Sequence, residues 1–432
     1  MAAVRSVALL TSRSSSSSAF LVRHCSLTTS APICAKCDST APAARSTPAE
    51  KGHAKDHART FYRAEMVTTP ALPSERAAKP PAGDSTLPFG AYYSDHMIDV
   101  DWTMADGWGR PRLHRIQPLQ LHPGAKVLHY AIELFEGMKA YRGVDNTIRI
   151  FRPDMNMARM NRTAARCALP TFDSAELIAM IADQIRLDRE WVPSSSATSS
   201  LYIRPTLIAT DKTLGVGAPH AAKLFVVTCP VGAYFPSGFQ SVSLLADSQF
   251  VRAFPGGVGA YKMGCNYAPT IDVAQSAAKK GCQQVLWLSG ENEELTEVGT
   301  MNIFVLWKNE EGDLELVTPP LDRGLILPGV TRDSLLALGR EYGEFKRAFT
   351  MEDVRAALKQ DRLLQMFGAG TACVVSPVGE IVYHNRKTGS YETWAIPTMS
   401  AKPNLMQRFY DHITDIQYGR TDRPEWVYEV RE

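Results

Sequence analysis

Apolar and polar positions take on a regular rhythm from about Leu87 onward. Ile98, Val100 and Trp102 alternate with polar residues and predict a strand, as does Thr147–Phe151, stopped by Pro153. Between them, Val127–Phe135 is largely apolar, and Glu136–Tyr141 reads as a helix end running into a strand. Asn156–Arg162 opens a helix with its positive charges on one side. Ser174 is placed as the cap of the next helix, with Glu176 in its first turn and Leu177, Ile178, Ile181 and Ile185 at helical spacing. Leu201–Pro205 predicts a strand that puts Tyr202 and Arg204 on one face, and Leu224–Val231 a buried strand. The stretch 232–238 breaks the pattern and reads as a connection between domains. Beyond it, strands are expected at Val242–Leu245, Gln284–Leu288 and Ile303–Trp307. Helices are expected at Thr270–Lys280, with Ile271 and Val273 inward, at Ser334–Gly339 and at Asn404–Tyr418.

The first part of the chain lacks this rhythm. Met1–Cys37 contains no Asp or Glu, carries Arg5, Arg13, Arg23 and Lys36, and includes the serine run Ser14–Ser18. That composition predicts a mitochondrial transit peptide over about residues 1–45, with a plastid or cytoplasmic location as alternatives. Residues 46–86, rich in Pro, Ala, Lys and Glu, are expected to be a disordered linker. The 432 residues leave room for about two domains after this tail. A formal charge of +2 gives no electrostatic case for nucleic acid, and no apolar run reaches the ~20 residues of a membrane helix. The eight cysteines are irregularly spaced, as free thiols would be; Cys34 and Cys37 form a lone CxxC pair without the second pair of a zinc site.

Candidate chemistry concentrates in Gly256–Pro269, where four glycines surround Lys262 and Tyr267 follows five residues later. A lysine that reacts with a carbonyl needs a partly desolvated setting, because burial favours the free amine that forms a Schiff base. A solvated surface turn is the plain alternative; a nucleotide-phosphate loop would need Ser or Thr after the lysine, and Met263 stands there. Glu297 lies just before the apolar strand Ile303–Trp307, and since burying an unpaired carboxylate is costly, a cation is expected to face it. Val330–Thr331 opens a helix whose free N–H groups could seat a phosphate, and Gly368–Cys373 is a second glycine-rich turn. Together these supply what pyridoxal phosphate requires: Lys262 as the amine, Glu297 opposite the pyridine nitrogen, and Tyr267 for the ring oxygen. Arg159, Thr300, Val330, Thr331 and Thr371 would be the phosphate donors.

In this motif order the chain closely resembles the branched-chain amino acid aminotransferases, from about Phe89 to Trp426. Phe135–Tyr141, Gly256–Pro269, Leu295–Phe304, Ile326–Arg332 and Gly368–Cys373 are similar to that family's signature segments. The resemblance implies an α/β (α+β) two-domain fold-type IV enzyme with its site between the domains. The smaller N-terminal domain would span 87–232, a connecting loop 233–241, and the larger cofactor-binding domain 242–432. It implies that Tyr93, Tyr130, Phe135 and Tyr234 pack the substrate side chain, that Tyr202 and Arg204 meet the γ-carboxylate of glutamate, and that the Thr371–Ala372 turn takes the α-carboxylate. Leu214 and Val216 would reach the partner's site in a homodimer. The implied reaction is transamination of leucine, isoleucine or valine with 2-oxoglutarate in the mitochondrial matrix, without a metal. D-amino acid aminotransferases and aminodeoxychorismate lyases share the fold and are the alternatives; a phosphate-ligand binding protein without chemistry is the rival of another class. One departure concerns Cys373, where the family's animal mitochondrial members carry a CxxC redox pair and this chain has Ser376, so disulfide control there is not expected.

Overall fold

The computed structural model describes residues 56–80, 87–194, 199–232, 240–340 and 348–431; the expected transit peptide lies outside them. The first of two sheets is built from β1 (Val67–Thr69), β2 (His96–Thr103), β3 (Gly107–Trp108), β4 (Arg112–Arg115), β5 (Glu133–Phe135), β6 (Met138–Arg142), β7 (Ile148–Phe151), β8 (Ser200–Ala209) and β9 (Ala221–Val231). Its helices are α1 (Lys126–Tyr130), α2 (Pro153–Arg166) and α3 (Ser174–Leu187). Apart from the parallel pair β1–β4 its ladders are antiparallel. The apolar faces of α2 and α3, among them Met157, Met160, Leu177 and Ile181, bury against Ile98, Leu134, Leu201 and Ile203 of the sheet.

The second sheet contains β10 (Val242–Ala246), β11 (Gln284–Ser289), β12 (Glu294–Val298), β13 (Met301–Lys308), β14 (Leu314–Val317), β15 (Leu363–Gly370), β16 (Val374–Asn385) and β17 (Ser390–Ala395). β10 pairs in parallel with both β11 and β16, so the path β10-β11-β12-β13-β15-β16 closes on itself. Closure removes two sheet edges that would otherwise stand unpaired. α4 (Thr270–Lys279) packs on β11, while α5 (Val330–Gly339) and α7 (Leu405–Gln417) cover β13 and β15 through Leu335, Leu338, Phe409 and Ile413; α6 (Met351–Lys359) lies beside β15. The last strand, β18 (Val427–Val430), returns to the first sheet and pairs with β7.

Three local expectations change. The part of the expected linker at 56–80 is ordered and packed: Phe61 is fully buried, its ring edge-on to Trp108 at 5.0 Å and stacked on Phe172 at 5.5 Å. The cap of α3 is Asp173 rather than Ser174, because the Asp173 carboxylate accepts from the N–H groups of Ala175 and Glu176 at 2.7 and 3.4 Å. In α4, Val273 and Ala277 face the sheet, whereas Ile271, two residues earlier and so about 200° around the helix, is exposed.

Candidate active site

Lys262 is fixed by its own backbone before its side chain does anything. Its carbonyl accepts from Phe135 N–H at 3.2 Å, its N–H donates to Thr163 Oγ1 at 3.2 Å, and the next residue, Met263, bridges to Leu134. Asn266 staples the loop by donating to the carbonyls of Val258 and Tyr261 at 2.9 and 2.8 Å. The half-buried lysine then projects its Nζ to 3.1 Å from Tyr267 Oη and 4.7 Å from the centre of the Phe135 ring. That ring also lies 4.5 Å from the Arg204 guanidinium, which donates to Tyr202 Oη at 2.9 Å. Five of the sequence-expected residues therefore meet in one place. Tyr202 approaches so closely that a Cβ on Gly137 would come within 2.1 Å of its hydroxyl and force the ring to shift.

Glu297 is buried, and the cation facing it is Arg252, which the sequence reading did not name. Arg252 Nε donates to Glu297 Oε2 at 2.6 Å, and its Nη2 also reaches that oxygen. Glu297 Oε1 accepts from Leu327 N–H at 2.7 Å and from Asn302 Nδ2 at 3.2 Å. Burial pushes the Glu297 carboxyl above the usual carboxylate range; Arg252, the Leu327 N–H and the Lys262 ammonium hold it down only in part. The signal for Arg252 in the sequence was one charge in the apolar neighbourhood Phe250–Phe254, ten residues before the lysine.

A second buried pair also feels the Lys262 charge. Arg159 grips Glu136 through Nε and Nη2, both at 2.7 Å, and donates from Nη1 to Pro328 O at 2.9 Å. Burial alone would push Glu136 up, but Arg159, helped by Lys262 and Asn156, brings it below the ordinary range. Three of Arg159's five N–H donors are used, leaving two. Pro328 leads into Gly329 and α5, whose first N–H groups, at Val330 and Thr331, have no side-chain cap. A Cβ on Gly329 would lie 2.1 Å from Asn302 Oδ1 and would push that side chain aside. Across a small cavity from Val330 and Thr331 stand Thr371 and Lys139. Thr371 Oγ1 donates to Gly137 O at 3.4 Å, and Lys139 Nζ donates to Ala372 O at 2.8 Å.

The remaining expected residues are more peripheral. Thr300 is exposed in the two-residue turn between β12 and β13. Tyr93 is exposed, and Tyr130, also exposed, reaches with its hydroxyl to Leu214 O. Leu214 and Val216 are 65% and 80% exposed. Tyr234 lies outside the described residues. Cys373 is a free, buried thiol whose Sγ donates to Met301 Sδ at 3.2 Å, and burial pushes it up to about 12. No group of His, Cys, Asp and Glu among the described residues could hold a metal ion, and no described helix is long and apolar enough to cross a membrane.

A family model described as amino-transferase class IV matches residues 133–381, which contain every buried group just described. The chain belongs to the class IV aminotransferases. Within this family it is 62% identical over 387 residues to a cytosolic branched-chain-amino-acid aminotransferase of Caenorhabditis elegans, covering 89% of this chain and 93% of the relative. It is 51% identical over 356 residues to the mitochondrial enzyme of Bos taurus, covering 82% and 88%. The branched-chain amino acid aminotransferase of Escherichia coli shares the fold at a TM-score of 0.60 and 22% identity, over 77% of this chain and 99% of that one. The branched-chain enzyme of Thermobaculum terrenum, solved in its PLP-form, superposes at a TM-score of 0.60 with 19% identity, over 77% and 98%. As an aminotransferase of this class, the protein is a fold-type IV enzyme of mixed α/β build, and small amino and oxo acids are its substrates.

Proposed function

We propose that this aminotransferase moves an amino group reversibly between L-leucine, L-isoleucine or L-valine and 2-oxoglutarate, using pyridoxal 5'-phosphate. The observation that carries the reading is the meeting of Lys262, Phe135, Arg204 and Tyr202: an amine against an aromatic wall, with a cation and a phenol beyond it. An apolar wall suits a branched side chain, and the Arg204–Tyr202 pair gives the γ-carboxylate of glutamate the polar partner it needs in the same pocket.

The donor set fits the cofactor. When bound, pyridoxal phosphate supplies a ring that accepts electrons from the substrate carbon. Glu297 would face the pyridine nitrogen; of the four donors it now satisfies, Asn302 at 3.2 Å is the longest, and Asn302 also holds Leu327 O at 2.8 Å. Tyr267 serves the ring oxygen. Arg159, with its two spare donors, the uncapped amides of Val330 and Thr331, and Thr371 hold the phosphate, with Thr300 nearby. Lys262 would hold the cofactor through its amine and would take and return the proton at the substrate Cα. Tyr267 Oη, at hydrogen-bond distance from its Nζ, orients it. Tyr93, Tyr130 and Tyr234 complete the apolar pocket, and the Thr371–Ala372 turn takes the α-carboxylate.

Leu214 and Val216, both exposed and apolar, are suited to reach the site of a second copy, which supports a homodimer as the working unit. The acid-free, Arg- and Ser-bearing N-terminal composition supports a mitochondrial matrix location. Turnover of leucine but not D-alanine with 2-oxoglutarate is the deciding assay; turnover of D-alanine alone would move the protein to the D-amino acid branch of the fold.

A further inference from the structure

Lys139 is a buried cation to which the reaction outlined above gives no part. It lies on β6 directly across the ladder from Tyr202, so the two share a sheet face. Its Nζ donates to Ala372 O at 2.8 Å. Two residues back on the same chain segment, Gly137 O receives Thr371 Oγ1 at 3.4 Å, so β6 and its approach hold the 371–372 turn at two successive residues. Lys139 is also the one charged side chain lining the small cavity between this turn and the first turn of α5, among the described residues.

The turn itself needs holding. Val374, a β-branched residue, sits at φ +62°, in the left-handed region, and Val375 N–H folds back to Cys373 O at 2.8 Å. A residue in that conformation costs about 1–3 kcal/mol and persists only where its surroundings dictate it. Here those surroundings are the Lys139 bond, the Thr371 bond and the contact of Cys373 Sγ with Met301 Sδ.

We propose that Lys139 is a positioning residue for the substrate carboxylate: its ammonium grips the Ala372 carbonyl and thereby fixes the 371–372 turn that receives the anion. This rests on the reading that the turn takes the α-carboxylate. A trans peptide is planar, so anchoring Ala372 O fixes the plane of the peptide that closes the turn, and with it the direction of the amides before it. The positive charge behind the turn also draws an anion to its front through a low-dielectric interior.

Burial lowers Lys139 to about 8. Besides the Tyr202 phenol across the ladder, the groups facing it are the thiols of Cys373 and Cys229, both pushed up by burial, and the Tyr141 phenol across the cavity, also raised. All three are neutral near that pH, so the lysine is what changes charge. Its ammonium is lost as pH rises through about 8, and carboxylate binding weakens in the same window.

The test uses the holoenzyme and 4-methylvaleric acid, a branched carboxylate without an amine of its own. Lys139→Met is expected to weaken its binding by about tenfold or more and to raise the leucine KM similarly, with kcat within about threefold and cofactor affinity unchanged. In the parent protein the dissociation constant should climb between about pH 7 and 9, and in Lys139→Met it should be flat. Lys139→Arg, which keeps the charge, should recover part of the affinity. Should Lys139→Met fail to fold, Lys139→Gln carries the same expectation at smaller size. Unchanged acid binding in a folded variant overturns the proposal, and so does a parallel loss of cofactor affinity, which would make Lys139 a phosphate ligand. A parent protein that turns over leucine yet shows no Lys139 effect refutes this inference alone; one that binds no branched acid refutes the functional reading beneath it.

Discussion

Arg252 and Glu297 show what a buried ion pair demands of its neighbours. Removing the guanidinium by Arg252→Met leaves a buried carboxylate without its cation, which costs on the order of 3–5 kcal/mol. Glu297 already has a raised folded-state pKa, so the stability tied to its protonated form is present at low pH and lost as pH rises through that value. The deficit of Arg252→Met is therefore expected to be largest at neutral pH and to shrink as the pH is lowered and the carboxyl takes up its proton, read by urea unfolding at each pH. Lys262→Ala is a different kind of change. It should abolish turnover while shifting stability by no more than about 1 kcal/mol, since the loop is held by backbone bonds and Asn266 rather than by the amine. The meeting of Lys262 with Tyr267 and the facing of Glu297 by a cation were legible in the sequence, from the five-residue spacing and from the cost of burying an unpaired carboxylate. Arg252, Glu136 and Lys139 gained roles only when the fold brought distant segments together: Arg159 and Glu136 are 23 residues apart, Lys139 and Ala372 233.

At the level of elements, the phosphate seat proposed above is a helix start, and the residue before it is a glycine. A methyl group at position 329 would collide with Asn302, which holds both Glu297 and the Leu327 carbonyl. Gly329→Ala is thus expected to weaken cofactor binding by at least about tenfold, measured by equilibrium dialysis, while the helix, packed through Leu335 and Leu338, stays formed. Most strands and helices could be read from periodicity. Their details could not, where two rules competed. Asp173 and Ser174 are both good caps, and only the hydrogen bonds to Ala175 and Glu176 choose between them. Ile271 and Val273 are both apolar, but α4 has one face on the sheet, and that face includes Ala277 rather than Ile271.

For the molecule as a whole, composition misled at 56–80. Pro and charged residues there suggested a linker, yet Phe61 fills a pocket between Trp108 and Phe172. Phe61→Ala should cost about 3–5 kcal/mol, seen as a lower Tm with the active-site groups untouched. Closure of the second sheet by β10 and β16, and the return of β18 to the first, join segments far apart in sequence, so no local pattern announces them. The exposed Leu214 and Val216 predict a dimer, and light scattering should give about twice the chain mass.

The central claim is that one amine, Lys262, carries the cofactor. Borohydride reduction of the protein incubated with pyridoxal phosphate, followed by peptide mass mapping, tests it directly. A single phosphopyridoxyl group on Lys262 is the predicted result; modification of another lysine with Lys262 unmodified, or none at all, contradicts the account.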